Sequence, residues 1–395
     1  MADQSARQVS RSSDLPYDFE RITDRTRTNS LKWQYYDEDV LPMWVADMDF
    51  QSPPAVIQAL QERAEHGIFG YETSPPDLRQ IIVDRLARLY DWQVEPEAVV
   101  FLPGIVAGFN VASRAFVAPD EGILIHTPVY MHILHAAKDA GVQSHAMELT
   151  QQSDGRYTVD FDVFERTVTD ATRLFLLCNP HNPVGRVFTR SELEEMAALC
   201  LRHDLIICSD EIHCDLVYPG HKHLPIATLS PEVEARTITL MAPSKTFNIA
   251  GLHCGFAVIP NPELRRQYGR GRGGLVGIPN LMGYTAARAA YVEGNAWLNA
   301  LLSYLEANRD YLVSYLATHL PQLRMVPAEG TYLAWIDCRA ANLPKNPSKF
   351  FLEEARVAFN DGAAFGPGGE GFVRLNFGCP RQLLEEGLER MRAAL

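Results

Sequence analysis

Ala242-Pro243-Ser244-Lys245-Thr246-Phe247-Asn248 closes the apolar run Arg236-Thr237-Ile238-Thr239-Leu240-Met241, and its reading decides the fold. A lysine at the mouth of a buried strand, flanked by a hydroxyl and by apolar residues, can lose the solvation of its charged form. Its pKa then falls below the ordinary value of about 10.4, and as the free amine it can attack a carbonyl. Taken alone, the heptapeptide fits a solvated loop lysine equally well. The rest of the chain decides between the two.

With 395 residues, 47% apolar and 22% charged, the chain has the length and core-forming content for two domains. A net charge of -13 argues against general affinity for nucleic acid or anionic membrane and for small-molecule partners. The seven cysteines are odd in number, lie mostly inside apolar runs and include no pair at two-residue metal spacing. Reduced, buried thiols in a cytoplasmic enzyme are expected. No stretch approaches the roughly 18 uninterrupted apolar residues of a membrane span, and the polar start carries no secretion signal.

Outward from the lysine, short apolar runs alternate with amphipathic helices. The runs are 98–102, 122–126, 173–178, 205–209, 236–241 and 255–259. This pattern predicts an α/β fold: a mostly parallel sheet with helical crossovers and ligands at the carboxyl ends of the strands. Helices are expected over 55–66, 76–90, 291–320, 347–360 and 380–395, with a capping box of Ser191 and Glu194 opening another. Residues 1–30 read as a polar, loosely held arm, and 41–50 as an extended segment entering a site. The expected division is an arm and part of a small domain over 1–50, a large domain over 51–290, and a small α+β domain over 291–395. The run 269–274 reads as a flexible loop at a dimer interface rather than an RNA-binding tract.

Other residue types of chemical interest fall at these strand ends. Gly104-Ile105-Val106 follows the first run and opens a helix, whose free N–H groups and dipole suit an anion; an ordinary connection looks the same. Asp210 ends an apolar strand beside Glu211, His213 and Asp215, as a carboxylate for a cationic ligand or a helix cap, with a metal site the less economical reading. Asn179-Pro180-His181-Asn182-Pro183-Val184-Gly185 is a stiff loop presenting Asn182. In Phe372-Val373-Arg374-Leu375-Asn376-Phe377, alternation puts Arg374 and Asn376 on one face. A guanidinium there either grips a carboxylate or faces solvent from a half-buried strand.

Together, the Asn179–Gly185 loop, Ser209-Asp210-Glu211-Ile212-His213, Ser244-Lys245-Thr246-Phe247-Asn248 and Arg374-Leu375-Asn376 resemble the fold type I pyridoxal phosphate enzymes of the class I/II aminotransferase family. Met43–Phe50, Asp210–Leu216 and Lys245–Leu252 are most similar to its MalY and PatB group of cystathionine beta-lyases. The resemblance implies an aspartate aminotransferase-like sheet of seven-stranded type, pyridoxal 5'-phosphate held covalently by Lys245, and a homodimer. It implies that Asp210 pairs with the ring nitrogen, Tyr130 stacks on the ring, and Asn182 and His213 bind its oxygen. Gly104, Ile105, Val106 and Ser244 would hold the phosphate, with Tyr71 reaching in from a second subunit. Arg374, with Asn182 and Tyr71, would bind the amino acid substrate. No metal is implied. The activity implied is β-elimination of a thiol from cystathionine or a related cysteine S-conjugate, with aminotransfer the nearest alternative and a regulatory binding protein a more distant one. Two positions depart from the aminotransferase pattern: His253 replaces a phosphate-binding arginine, and Ala242 replaces a serine.

Overall fold

The computed structural model describes residues 17–395. Seven strands form its main sheet: β1 (Val99–Leu102), β2 (Gly122–Thr127), β3 (Gln143–Glu148), β4 (Thr172–Cys178), β5 (Ile206–Asp210), β6 (Thr237–Met241) and β7 (Gly255–Val258). Their spatial order is β1-β7-β6-β5-β4-β2-β3. Every pairing is parallel except those of β7, which runs antiparallel to both β1 and β6. Strands β2, β4, β5 and β6 are buried over nearly their whole length, as expected of strands covered on both faces. The apolar runs therefore mark six of the seven strands to within a residue or two. The seventh, β3, is Gln-Ser-His-Ala-Met-Glu at the sheet edge, mostly solvent-facing and without an apolar signature.

A second sheet is wholly antiparallel, ordered β8-β9-β11-β10, from β8 (Arg324–Met325), β9 (Leu333–Asp337), β10 (Asn360–Asp361) and β11 (Phe372–Asn376). Strand β11 is buried throughout, on both faces, so Arg374 is an interior residue and not an outward-facing one.

Several expectations need correction. The capping box on the helix Arg190–Arg202 is formed by Thr189 and Glu192, not Ser191 and Glu194. The same residue-type spacing occurs twice, and buried Arg186 holds Glu192 in place at 2.7 Å. Residues 269–272 are not a loop but the end of the helix Pro262–Arg272. There Gly271 lies so close to Ala115 of the helix Ile105–Phe116 that a Cβ would collide, so the glycine permits helix–helix contact. The helix expected over 347–360 ends by Ala355; Arg356 turns left-handed (φ 53°), and Val357–Ala358 pairs in parallel with Leu41–Pro42.

That pairing starts the segment 41–50 on its way between the two sheets. Its far end is fixed by Asp49, a buried carboxylate accepting from Lys32 Nζ at 2.6 Å, Arg25 at 2.6 Å and Trp33 Nε1 at 2.8 Å. Residues 17–33 of the arm thus pack on their own chain, with Phe19 buried against Phe50, Trp297 and Tyr304; the rest of the expected arm, 1–16, lies outside the described residues. From the other side, Asn248 donates to the carbonyls of Met48 and Phe50 and accepts from the Met48 N–H.

Removing the acceptor would leave the buried Lys32 with only the longer contacts to Asp47, 3.3 Å to its carbonyl and 3.9 Å to its carboxylate. Asp49→Ala is expected to destabilise the fold by about 3–5 kcal/mol, read as a lower urea midpoint at unchanged m-value. An unchanged midpoint would contradict this account of the segment.

Candidate active site

Five strand ends supply the site. Strand β1 leads to Gly104, β2 to Tyr130, β4 to Asn182, β5 to Asp210, and β6 to Ser244 and Lys245. Because these strands are parallel, all five turns emerge at the carboxyl edge of one sheet. The second sheet brings Arg374 from β11, and the segment 43–47 lies between them.

Four consecutive carbonyls of that segment accept hydrogen bonds from the site. Trp44 O takes Arg374 at 3.0 Å, Val45 O and Asp47 O take Asn376 Nδ2 at 2.6 Å each, and Ala46 O takes Lys245 Nζ at 2.6 Å. Burial draws Lys245 down from 10.5 to about 8, helped by Arg374 and opposed by Asp47 and Asp210. The desolvation expected from the sequence is thus present.

Arg374 makes its remaining hydrogen bonds to amide oxygens, Asn182 Oδ1 at 3.0 Å and Asn360 Oδ1 at 2.6 Å, and lies over the Phe365 ring at 5.0 Å. Among the described residues it has no carboxylate partner and its Nε is buried without any partner, and burial lowers its pKa to about 10. A buried guanidinium without a counter-charge is costly, and an anionic ligand removes that cost.

Asp210 is buried at the end of β5, where desolvation raises it to about 7 against the opposing pull of the Ile212 N–H and Lys245. Its acidic neighbours go elsewhere: Glu211 meets His223 at 2.7 Å, and Asp215 meets Arg85 at 2.6 Å. His213 is buried with Nδ1 unpartnered, and burial, then Lys245 and Arg374, push its pKa down to about 3, so it is neutral. Tyr130 is pushed up to about 12, chiefly by burial. Its N–H donates to Asn182 O at 3.0 Å, joining two strand-end loops.

Gly104 caps the helix Ile105–Phe116 without any side-chain partner for the first N–H groups, and nothing lies within 4 Å of where a Cβ would project. Ser244 stands in the short helix Pro243–Thr246. His253, in place of the arginine of the aminotransferase pattern, is exposed. Tyr71 is not brought to its own chain's site: it is fully exposed on the irregular segment 66–77. Sequence reasoning missed Tyr332, whose hydroxyl also donates to Ala46 O, and Asn360. The main-chain acceptors of 44–47 have no residue-type signature to find.

The residues present fit pyridoxal 5'-phosphate. An uncapped helix start with open space before it suits a phosphate, a buried carboxylate suits a ring cation, His213 Nδ1 is an unpaired group at the site, and a lysine with lowered pKa suits covalent attachment.

Comparison with known proteins places the chain. The family model for aminotransferase class I and II matches residues 38–391. The protein belongs to the class I/II aminotransferase family. Cystathionine beta-lyase PatB of Bacillus subtilis (strain 168) is 40% identical over 95% of this chain and 99% of its own. The crystal structure of OvoB superposes with a TM-score of 0.92 at 45% identity, covering 96% of this chain and 99% of that one. Cystalysin from Treponema denticola, whose crystal structure contains a pyridoxal 5'-phosphate cofactor, gives a TM-score of 0.92 at 32% identity over 96% and 98%.

Competitive labelling of the cofactor-free protein with acetic anhydride is expected to modify Lys245 with a midpoint near pH 8 rather than 10.5. The peptide is read by mass spectrometry, and a midpoint at or above 10 would contradict the burial argument. Since folding lowers this pKa, the unfolded chain holds the proton more tightly between pH 8 and 10.5, and Lys245 makes stability rise with pH across that window.

Proposed function

We propose that this chain is a pyridoxal phosphate-dependent carbon–sulfur lyase that splits cystathionine or a related cysteine S-conjugate into a thiol, pyruvate and ammonia. The observation that carries the amino acid part is Arg374, a buried cation on the second sheet that lacks an anionic partner among the described residues. The relative named cystathionine beta-lyase, matched over nearly its full length, favours elimination of a β-thiolate.

When bound, the cofactor supplies a conjugated ring that takes up the electron pair released at the substrate's α-carbon. The chain's own residues do the rest. Arg374 binds the α-carboxylate, its fork held by Asn182, Asn360 and Trp44 O. Lys245 Nζ, as the free amine, removes the α-proton and holds it. Asp210 would pair with the ring nitrogen; its raised pKa would fall with a cation opposite, so it would work as the carboxylate. Neutral His213 and Asn182 would hold the ring's oxygen, and Tyr130 would cover the ring. Gly104, Ile105, Val106 and Ser244 serve the phosphate. Seven buried, free cysteines suit a cytoplasmic setting.

The partner is a second copy of the chain. Ile68, Phe69, Tyr71, Leu275 and Ile278 are all exposed apolar side chains, a surface that calls for cover. In the homodimer Tyr71 serves the neighbouring site.

Aminotransfer is the second reading, since the family's description names it. Incubation with cystathionine is expected to give pyruvate and free thiol over many turnovers. A single stoichiometric turnover that needs a keto acid to continue would overturn the lyase reading. Arg374→Lys is expected to lose about 100-fold or more in kcat/KM, because an ammonium cannot reproduce the bidentate fork.

Lys245→Ala and Tyr71→Ala are each expected to be nearly inactive, and to regain about one quarter of wild-type activity when dissociated and reassociated together. Half of the dimers would then be hybrids with one intact site. No recovery would contradict the contribution of Tyr71 across the interface.

A further inference from the structure

Tyr332 is fully buried and stands just before β9. Its hydroxyl donates to Ala46 O at 2.8 Å, its one hydrogen bond among the described residues. The same oxygen takes Lys245 Nζ at 2.6 Å. Two donors on one carbonyl stand about 4–5 Å apart and share its two lone pairs. Each weakens the other's hold, because the acceptor's charge is divided between them.

The tyrosine ring has little freedom to leave. It lies edge-on to the His213 ring at 6.1 Å and 76°, and it packs near Gly378, where a Cβ would come within 3.2 Å of its ring. Thr331, immediately before it, holds a left-handed backbone (φ 70°) and donates its N–H to Leu216 O. Burial keeps the phenol protonated at any working pH, so it is a permanent donor.

We propose that Tyr332 is a positioning residue for Lys245: by donating to the Ala46 carbonyl it limits how firmly that oxygen holds the lysine as an ammonium, and so favours the free amine that chemistry needs. The inference rests on the reading of Lys245 as the cofactor lysine. The charges facing Lys245 are Arg374 from β11, Asp210 from β5 and Asp47 from the segment 43–47. The Asp47 carboxylate is itself bound by Arg25 at 2.6 Å. His213 and Tyr130 also face this site but stay neutral. Removing the Tyr332 hydroxyl leaves each of these residues in the chain, although Tyr332 also acts electrostatically on Arg374.

The test is capture of pyridoxal phosphate by the cofactor-free protein as a function of pH. It is followed by absorbance, and by mass spectrometry of the borohydride-reduced peptide that carries Lys245. In the wild type, capture at Lys245 is expected to titrate near pH 8. If no cofactor is trapped on Lys245, the reading of the lysine fails and this inference with it.

Tyr332→Phe keeps the ring and loses one donor. Its capture midpoint is expected to rise by about half a unit to one unit, slowing capture at pH 7 by roughly 3- to 10-fold. An unchanged midpoint in the folded variant, with wild-type capture intact, would overturn the role of Tyr332 alone. Should the phenylalanine variant fail to fold, site-specific replacement of Tyr332 by 3-fluorotyrosine, a stronger donor, is expected to lower the midpoint. A midpoint that stays at or above the wild-type value there would overturn the inference.

Discussion

The buried guanidinium of Arg374 is the constraint around which the molecule is arranged. An interior cation without a carboxylate survives only if neutral acceptors surround it and its stem is covered. Asn182, Asn360 and the Trp44 carbonyl come from three separate places in the chain to provide that, and Phe365 closes the remaining face. The Asn182 contact ties the second sheet to the main one, the Trp44 contact ties it to the segment 43–47, and Asn360 stands on β10, the strand paired with β11. The segment 43–47 is held between them because both sheets hydrogen-bond to its peptide groups. The same charge depresses the pKa of Lys245, so the group that would grip a carboxylate also prepares the nucleophile.

The electrostatics of the site run against the ordinary preferences of its members. Burial raises Asp210 and lowers Lys245, each toward neutrality. A ring cation opposite Asp210 would restore its charge, whereas Lys245, near 8, can give and take a proton at little cost, which is the condition for acid–base work near neutral pH. Glu211 instead meets His223 and accepts from the Ser209 hydroxyl. Adjacent carboxylates, 210 and 211, therefore serve different ends because a strand turns them to opposite sides.

What the sequence made legible follows from which forces are local. Buried strands β4, β5 and β6 announce themselves as apolar runs, and Lys245, Asp210 and Asn182 stand at their ends, so most of the site was visible at once. Strand β3 was not, because its stability comes from pairing with one neighbour while its side chains remain polar. The glycines of 269–274 suggested a loop because their local cost in a helix is plain, whereas the close approach of Ala115 that compensates it is a long-range fact. The break after Ala355 was hidden for a similar reason: its cause is pairing with Leu41–Pro42, over 300 residues earlier. Thr189 and Ser191 offered equal capping signals, and only the place of Arg186 separates them. The carbonyls of 44–47 could not be read at all, since every residue has one.

That last feature bears on how such a protein can change over generations. Lys245, Arg374, Asn376 and Tyr332 address the segment 44–47 through peptide oxygens alone. Substitutions at Trp44, Val45 or Ala46 that keep the backbone path leave those contacts in place. The reactive frame and the side chains of this segment are thus inherited independently, and the segment's sequence can drift without disturbing the contacts that hold the chemistry in place.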